Sequence, residues 1–370
     1  MENPKQKRSY TIAVIPGDGI GPEIVAAARQ VLDHLAGLEG FRLDFAAYEA
    51  GASAYLKYGD PLPAESMAGC RAADAIFKGP TGLPEVRLPD GTEAGVLGGR
   101  LRSGLDLYVN LRPIKLYPNV PTALANRQPG EIDWVMVREN TEGLYASRGN
   151  GIVANTGQAA TDTLMITRLG SERIIRYAFE TARRRNGKKR VTCVDKSNVL
   201  RSFAFFRGIF KEIAAEYPDI EPDYLYVDAA AQALVLEPDR FDVIVTENLF
   251  GDILSDLGGA TVGGIGVCAG ANIGDRHAYF EPIHGSAPSL ARTGRANPLA
   301  AILAGGLLLD YLGESRAAAR LEQAVMQAFR EKAIVLRPDG SAATGTQAVA
   351  EAVIQFSIFN SQFSIDSLAH

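Results

Sequence analysis

Tyr10-Thr11-Ile12-Ala13-Val14-Ile15-Pro16-Gly17-Asp18-Gly19-Ile20-Gly21-Pro22-Glu23 decides how the rest of the chain is read. A short β-rich run enters a glycine turn, and a helical pattern follows over residues 23–35. The glycines are spaced GxGxG with Pro22 next in line, which is not the GxGxxG dinucleotide fingerprint. They mark a tight strand-to-helix turn that a ligand approaches closely. The same alternation recurs downstream. Residues 41–47, 74–77, 133–137, 190–194, 223–227 and 241–245 have strand character. Amphipathic stretches such as 171–185 and 201–217 lie between them. This predicts an α/β fold with a largely parallel sheet or sheets. Residues 83–99, 148–161 and 260–274, rich in glycine or polar residues, are hinge or loop candidates, and 148–161 also suits a pair of arm strands. The tail 355–370 alternates apolar and polar residues, as an edge strand or a disordered extension would.

Composition narrows the function. At 370 residues the chain is long enough for about two domains, and 46% hydrophobic with 22% charged residues is ordinary for a soluble globular protein. A formal charge of -5 gives no footprint for nucleic acid or an anionic membrane. The basic run 183–190 reads as a helix end at Gly187, its cations answering the macrodipole. Cys70, Cys193 and Cys268 form neither a CxxC pair nor a disulfide framework. His34, His277, His284 and His370 are not spaced for zinc. No stretch suits a signal peptide or a membrane span, so a cytoplasmic protein is expected.

Chemistry concentrates in a few segments. In Asn248-Leu249-Phe250-Gly251-Asp252-Ile253-Leu254-Ser255-Asp256 two aspartates stand four apart. On a helix both carboxylates share one face, which suits a hard divalent cation; the plain alternative is an acidic first turn facing the dipole. Tyr226-Val227-Asp228 offers a third carboxylate. Arg102, Arg112 and Arg138 each sit at the end of a β-rich run, where open sheets place their sites, and three guanidiniums suit a substrate with two or three carboxylates. Lys196 in Val194-Asp195-Lys196-Ser197-Asn198 closes another strand, as a base or as a solvated lysine. Glu281-Pro282-Ile283-His284-Gly285-Ser286-Ala287-Pro288, followed by Asn297-Pro298, is a loop of small residues that lets a ligand approach the backbone.

IPGDGIGPE, LYVNLRP, VRENTEGLY, VDKSN, NLFGDILSDL and EPIHGSAP occur in this order between Tyr10 and about Val353. Together they resemble the β-decarboxylating dehydrogenases: isocitrate, homoisocitrate, 3-isopropylmalate and tartrate/D-malate dehydrogenases. The resemblance implies a two-domain open-sheet fold that is not Rossmann. Residues 1–107 and 263–353 would form the large domain, residues 108–262 the small one, and 354–370 a tail. It implies a homodimer with shared active sites and an arm near 148–165. Arg102, Arg112 and Arg138 would bind substrate carboxylates. Asp228, Asp252 and Asp256 would hold Mg²⁺ or Mn²⁺. Lys196, supported by Asp228, would take the hydroxyl proton, and Tyr145, tuned by Lys196, would protonate the enol carbon. Glu281, His284, Gly285, Ser286, Ala287, Ser289, Leu290 and Asn297 would cradle the cofactor.

The chain departs from the family pattern in two places. Ser289 and Leu290 stand where NAD-using relatives carry Asp and NADP-using ones Lys. With no basic replacement NAD is expected, although Arg292 and Arg295 keep NADP open. Where isopropylmalate enzymes pack leucines, this chain has Val96, Gly98 and Gly99, with Arg100 beside them. A glycine wall gives little apolar contact. The RENTEG run and residues 120–125 resemble tartrate/D-malate enzymes, while Lys78-Gly79-Pro80 resembles isocitrate ones. A D-malate or tartrate type of substrate is expected first and 3-isopropylmalate next. Isocitrate or homoisocitrate requires Arg100 to turn inward. A non-catalytic regulatory subunit is the rival of another class.

Overall fold

A computed structural model of the chain describes residues 8–359 except 90, 96, 155 and 156. The strands are β1 (Arg8–Ile15), β2 (Phe41–Ala47), β3 (Ala75–Lys78), β4 (Val109–Lys115), β5 (Asp133–Glu139), β6 (Ile152–Val153), β7 (Ala160–Thr161), β8 (Arg190–Asp195), β9 (Glu221–Tyr226), β10 (Val243–Thr246), β11 (Ala269–Ile273) and β12 (Ala278–Pro282). Ten of them make one sheet in the order β2-β1-β3-β12-β11-β4-β5-β10-β8-β9, and β6 pairs with β7 as a separate hairpin. Both flanks are parallel. The middle is antiparallel through β12-β11-β4-β5, so the sheet is mixed, with parallel pairings in the majority as expected.

The antiparallel middle is where sequence pattern is weakest. Ala269–Ile273 is built of small residues inside a glycine-rich stretch expected to be a loop. It becomes a strand because its partners on both sides bury it. Tertiary context here overrides intrinsic propensity.

The helices Gly21–Glu39, Leu299–Tyr311, Ser315–Arg330 and Thr346–Phe359 build the core on the β1 side. The helices Arg168–Arg185 and Arg201–Ala214 build a second core with Phe179, Phe206 and Phe210. The last helix continues to Phe359, so the expected boundary at 353 falls too early. Ile354 and Phe356 pack against the core, which makes residues 355–359 neither an edge strand nor a disordered extension. Residues 360–370 lie outside the described residues. Among the described residues no helix is long and apolar enough to cross a membrane.

Half of the basic run is paired with acids. Arg183 pairs with Asp219, Arg185 with Asp133 and Asp242, and Arg190 with Glu221. The helix there ends one residue earlier than expected of Gly187, with Asn186 as its left-handed cap.

The glycine turn after β1 is the tight strand-to-helix turn expected. A Cβ on Gly17 would stand 2.1 Å from the Pro80 carbonyl oxygen, and one on Gly19 2.0 Å from that of Ser286. Both residues have positive φ, 81° and 57°. These close neighbours are carbonyl oxygens of the protein's own backbone. Buried Asp18 fastens the turn by accepting from the amides of Ala52, Ser53 and Gly82.

One helix positions the chemistry. Asn248–Thr261 starts at Glu247, whose carboxylate accepts from the amides of Leu249 and Phe250 at 3.0 and 2.6 Å. Its sheet-facing side is Gly251, Ser255 and Gly258, one or two turns apart, so the backbone lies close on β4 and β5. A Cβ at Gly258 would meet Trp134 Cη2 at 2.6 Å, and one at Gly251 would meet Arg138 Cγ at 2.5 Å. Trp134 is fully buried and cannot yield. Gly258→Leu should therefore destabilise the fold by about 1–3 kcal/mol through overpacking. A urea unfolding midpoint equal to that of the parent protein would refute this seating.

Candidate active site

Arg112 stands mid-way along β4, and Arg138 lies next to the end of β5. Arg102 comes from the helix Gly98–Gly104. The expectation that each arginine closes a β-rich run thus holds for Arg138 alone. Arg112 is brought to the site because the Asn248–Thr261 helix packs over β4 and β5.

Arg112 and Arg138 meet that helix, while Arg102 has its partners on β11 and β12. Arg112 Nη1 donates to Ser255 Oγ at 2.8 Å and to Asp256 Oδ1 at 3.2 Å, and its Nη2 to Asp252 Oδ1 at 3.3 Å. Arg138 Nη1 donates to the same Asp252 oxygen, while its Nε and Nη2 donate to Asn248 Oδ1. Arg102 Nε donates to Asn272 Oδ1 and Tyr279 Oη, both at 3.1 Å. Arg138 is 1% exposed. Burial, then the charges of Arg112 and Arg102, push its pKa down to about 9 against the opposing pull of Asp252. The cluster is short of negative charge, which is the condition for gripping anionic ligands.

Asp252 Oδ2 accepts from the Tyr145 hydroxyl at 2.8 Å. Burial raises the Tyr145 pKa and the Asp252 bond and charge add to it, while Arg138 and Arg148 oppose. The Asp252 carboxyl stays below its usual range: burial pushes it up, but Arg138 and Arg112 outweigh that. Asp256 is raised, first by burial, with the Asp252 charge adding and Arg112 opposing. Two hard oxygen donors one turn apart, the second strained by the first, fit a divalent cation that would relieve the repulsion. Two donors alone would make only part of such a site. Among the described residues no three His, Cys, Asp or Glu side chains of the chain gather for a metal.

Asp228 lies elsewhere in the chain, in the first turn of the helix Val227–Leu236. It accepts from Lys196 Nζ at 2.6 Å, and its side chain is 68% exposed. The charged neighbours of Tyr145 are Asp252, Arg138 and Arg148, so Lys196 does not tune it within one chain.

Glu281 occupies a network of its own. It accepts from Lys78 Nζ at 2.8 Å and from Asn272 Nδ2 at 3.0 Å, and Arg102 Nη2 stands 3.6 Å away. Asn272 Oδ1 accepts from Arg102, Asn110 and Asn140. Asn272 is thus the hub between Glu281 and the arginines, and it was hidden in the glycine-rich stretch. Lys78 and Tyr279 were also unassigned from sequence. Only the strand pairing β11-β4, which sets Asn272 opposite Asn110, could have shown the hub.

A model of the isocitrate/isopropylmalate dehydrogenase family matches residues 11–353. The chain belongs to this family. The 3-isopropylmalate dehydrogenase of Thermobifida fusca (strain YX) is 47% identical over 333 residues, which cover 88% of this chain and 93% of that protein. The enzyme of the same name from Streptomyces griseus is 44% identical over 352 residues, with coverage of 94% and 98%. Among solved structures, isocitrate dehydrogenase from Methylococcus capsulatus superposes with a TM-score of 0.84 at 43% identity, covering 94% of this chain and 99% of that one. A β-decarboxylating dehydrogenase from Thermococcus kodakarensis, in apo form, gives 0.77 at 39% identity, with coverage of 95% and 96%. As a member of the isocitrate/isopropylmalate dehydrogenase family, the chain is a decarboxylating dehydrogenase acting on a CH–OH group.

The family's cofactor loop can be tested on this structure. Ser286 Oγ donates to the Gly82 carbonyl. Asn297 Nδ2 donates to the carbonyls of Gly266 and Gly340, and its Oδ1 accepts from Leu299 N. These two side chains shape the loop and leave no polar atom over. Gly285 has nothing within 4 Å of where a Cβ would be, and Ala287 is left-handed with φ 36°. Ser289 is exposed, and Leu290 is partly buried. His284 Nδ1 lies 2.9 Å from the Gly285 carbonyl oxygen, and burial lowers its pKa. An open backbone cradle of this kind fits the adenosine part of a dinucleotide.

Glu281 gives a pH test. Burial alone would raise its pKa, but Lys78 and then Arg102 outweigh it and hold it down to about 2. An unfolded glutamate titrates near roughly 4.3. A depressed carboxyl stabilises the fold above the unfolded value, and that contribution disappears as pH falls from about 4.3 towards 2. Glu281→Gln should lower stability at neutral pH and flatten the acid limb of a Tm-against-pH curve over that window. A limb as steep as the parent's would show that Glu281 is not what titrates there.

Proposed function

We propose that this enzyme carries out metal-dependent oxidative β-decarboxylation of a D-malate-type 2-hydroxy dicarboxylate with NAD, as a homodimer with shared active sites. The observation that carries it is the buried guanidinium cluster of Arg102, Arg112 and Arg138 facing Asp252, Asp256 and Tyr145. The two halves of the sheet act as the two domains, residues 1–107 with the C-terminal segment from 263, and residues 108–262.

Substrate carboxylates take the guanidinium forks that Asp252 now shares. When bound, the divalent ion supplies Lewis acidity at the substrate oxygens and the nicotinamide accepts the hydride. Asp252 and Asp256 are its ligands from one subunit, with Asp228 reaching in from the other. Lys196, held by Asp228, takes the hydroxyl proton as the alcohol is oxidised. The arginines keep the remaining carboxylate fixed while the β-carboxylate leaves. Tyr145, oriented by its bond to Asp252, then delivers a proton to the enol carbon. Sharing between subunits is supported by exposed apolar Val199 and Leu200 just after Lys196, and by Val235 and Leu236 at the other end of the helix that carries Asp228. Ile152 and Val153 on the β6-β7 hairpin, the proposed arm, are also exposed.

The names of the relatives favour 3-isopropylmalate as a second reading. The wall beside the site supports a smaller or more polar substituent. Leu97, Leu101 and Leu105 turn into the core with Ile15 and Tyr279, leaving Gly98, Gly99 and Arg102 on the other face. Val96 lies outside the described residues. Arg100 does not turn inward, because it pairs with Asp60 at the surface. NAD is supported by exposed Ser289, which neither repels nor pairs with a 2′-phosphate.

Assays of D-malate, tartrate, 3-isopropylmalate, isocitrate and homoisocitrate with Mn²⁺ should give NADH from at least one malate-type acid and nothing after chelation. A kcat/KM favouring NADP over NAD would overturn the cofactor choice. Lys196→Met should reduce kcat by at least about 100-fold while the unfolding curve keeps its shape. Unchanged turnover would remove Lys196 from the mechanism.

A further inference from the structure

Two buried asparagines stand between the arginines, and the proposed reaction gives them no part. Asn272 on β11 lies opposite Asn110 on β4 in the antiparallel register, so both side chains project from one face of the sheet. They are 0% and 1% exposed. Asn110 Nδ2 donates to Asn272 Oδ1 at 2.7 Å, and Asn110 Oδ1 accepts from Arg112 Nε at 2.8 Å. Asn272 Oδ1 also accepts from Arg102 Nε at 3.1 Å, and Asn272 Nδ2 donates to Glu281 Oε1 at 3.0 Å. One chain of bonds thus runs from Glu281 through two amides to both guanidiniums.

The orientation of each amide is forced. Turning Asn272 over would set its NH2 against N–H donors of Arg102, Asn110 and Asn140, and its oxygen against the Glu281 carboxylate. Asn110 follows, since its nitrogen must meet Asn272 Oδ1 and its oxygen Arg112 Nε. Both arginines are therefore gripped by the inner nitrogen. A guanidinium is a rigid plane, so holding Nε fixes the direction of the Nη edge. For Arg112 that edge is turned to Ser255, Asp252 and Asp256. For Arg102, among the described residues, neither Nη makes a hydrogen bond, and Glu281 stands 3.6 Å from Nη2. An amide carries no charge. It aims a guanidinium without neutralising it, whereas a carboxylate in the same place would compete with an anionic ligand. If the pair served only to join two strands, apolar side chains would do so without desolvating two amides.

We propose that Asn272 and Asn110 are positioning residues: they hold Arg102 and Arg112 by Nε across the β11-β4 pairing and set both Nη edges toward one bound carboxylic acid. This rests on the reading above that these arginines grip the substrate, and adds the device that aims them. Both asparagines act through the arginines and need not touch the substrate.

The test uses the full-length enzyme with NAD, Mn²⁺ and whichever malate-type acid the parent turns over fastest. kcat, KM for the acid, KM for NAD and Tm are measured for Asn272→Ala, Asn110→Ala, Asn110→Ser and the double alanine variant. Each single substitution should raise KM for the acid by roughly tenfold, with kcat and KM for NAD changed by less than about threefold. The double variant should be little worse than the worse single one, because one relay is cut in either place. A purely structural pair would instead lower Tm and leave KM for the acid at the parent's value. Asn110→Ser leaves Asn272 bonded to Arg102, Asn140 and Glu281, and it decides the matter if Asn272→Ala does not fold. A KM for the acid within about twofold of the parent's in Asn110→Ala and Asn110→Ser overturns the assignment. So do single effects that multiply in the double variant, and either result leaves the reaction class standing. A parent enzyme inactive on every malate-type acid removes both.

Discussion

A single carboxylate oxygen, Oδ1 of Asp252, accepts from two arginines on neighbouring antiparallel strands. The geometry of the site follows from that contact. It fixes the Asn248–Thr261 helix against β4 and β5, and it opposes the repulsion among guanidiniums that burial makes severe. Its second oxygen holds the Tyr145 phenol in place. Without Asp252 the cluster would lack its main internal counter-charge, and Arg138 would be a buried cation without an anion.

This contact is possible only because the helix presents almost no side chain to the sheet. Gly251 and Gly258 let Arg138 and Trp134 approach to distances that a methyl group would block. Acidic residues one turn apart are common on protein surfaces. What distinguishes this pair is a helix held close enough for its carboxylates to reach arginines rooted in the strands.

Much of this was legible in the sequence. The outer strands and long helices follow from periodicity, because each has one apolar face or a continuous apolar run. The i, i+4 spacing of Asp252 and Asp256 placed them on one helical face, and the order of motifs identified the family. The antiparallel middle was not legible, since Ala269–Ile273 is too small-sided to read as a strand until its partners bury it. For the same reason Asn272 went unassigned although four side chains converge on it. Gly17 and Gly19 were recognised as positions of close approach, but periodicity cannot say whether the visitor is a ligand or the chain's own carbonyls.

The antiparallel pairing of β11 with β4 is the one place where the two halves of the sheet are stitched together. Its register covers Ala271 with Leu111, Asn272 with Asn110, and Ile273 with Val109. Arg102 and Glu281 stand on one side of that seam, while Arg112, Arg138 and Asp252 stand on the other. In the function proposed above, a substrate held by Arg102 and Arg112 at once would bridge that seam, adding its own binding energy to a short run of backbone bonds. Loading the site and stiffening the whole molecule would then be one event.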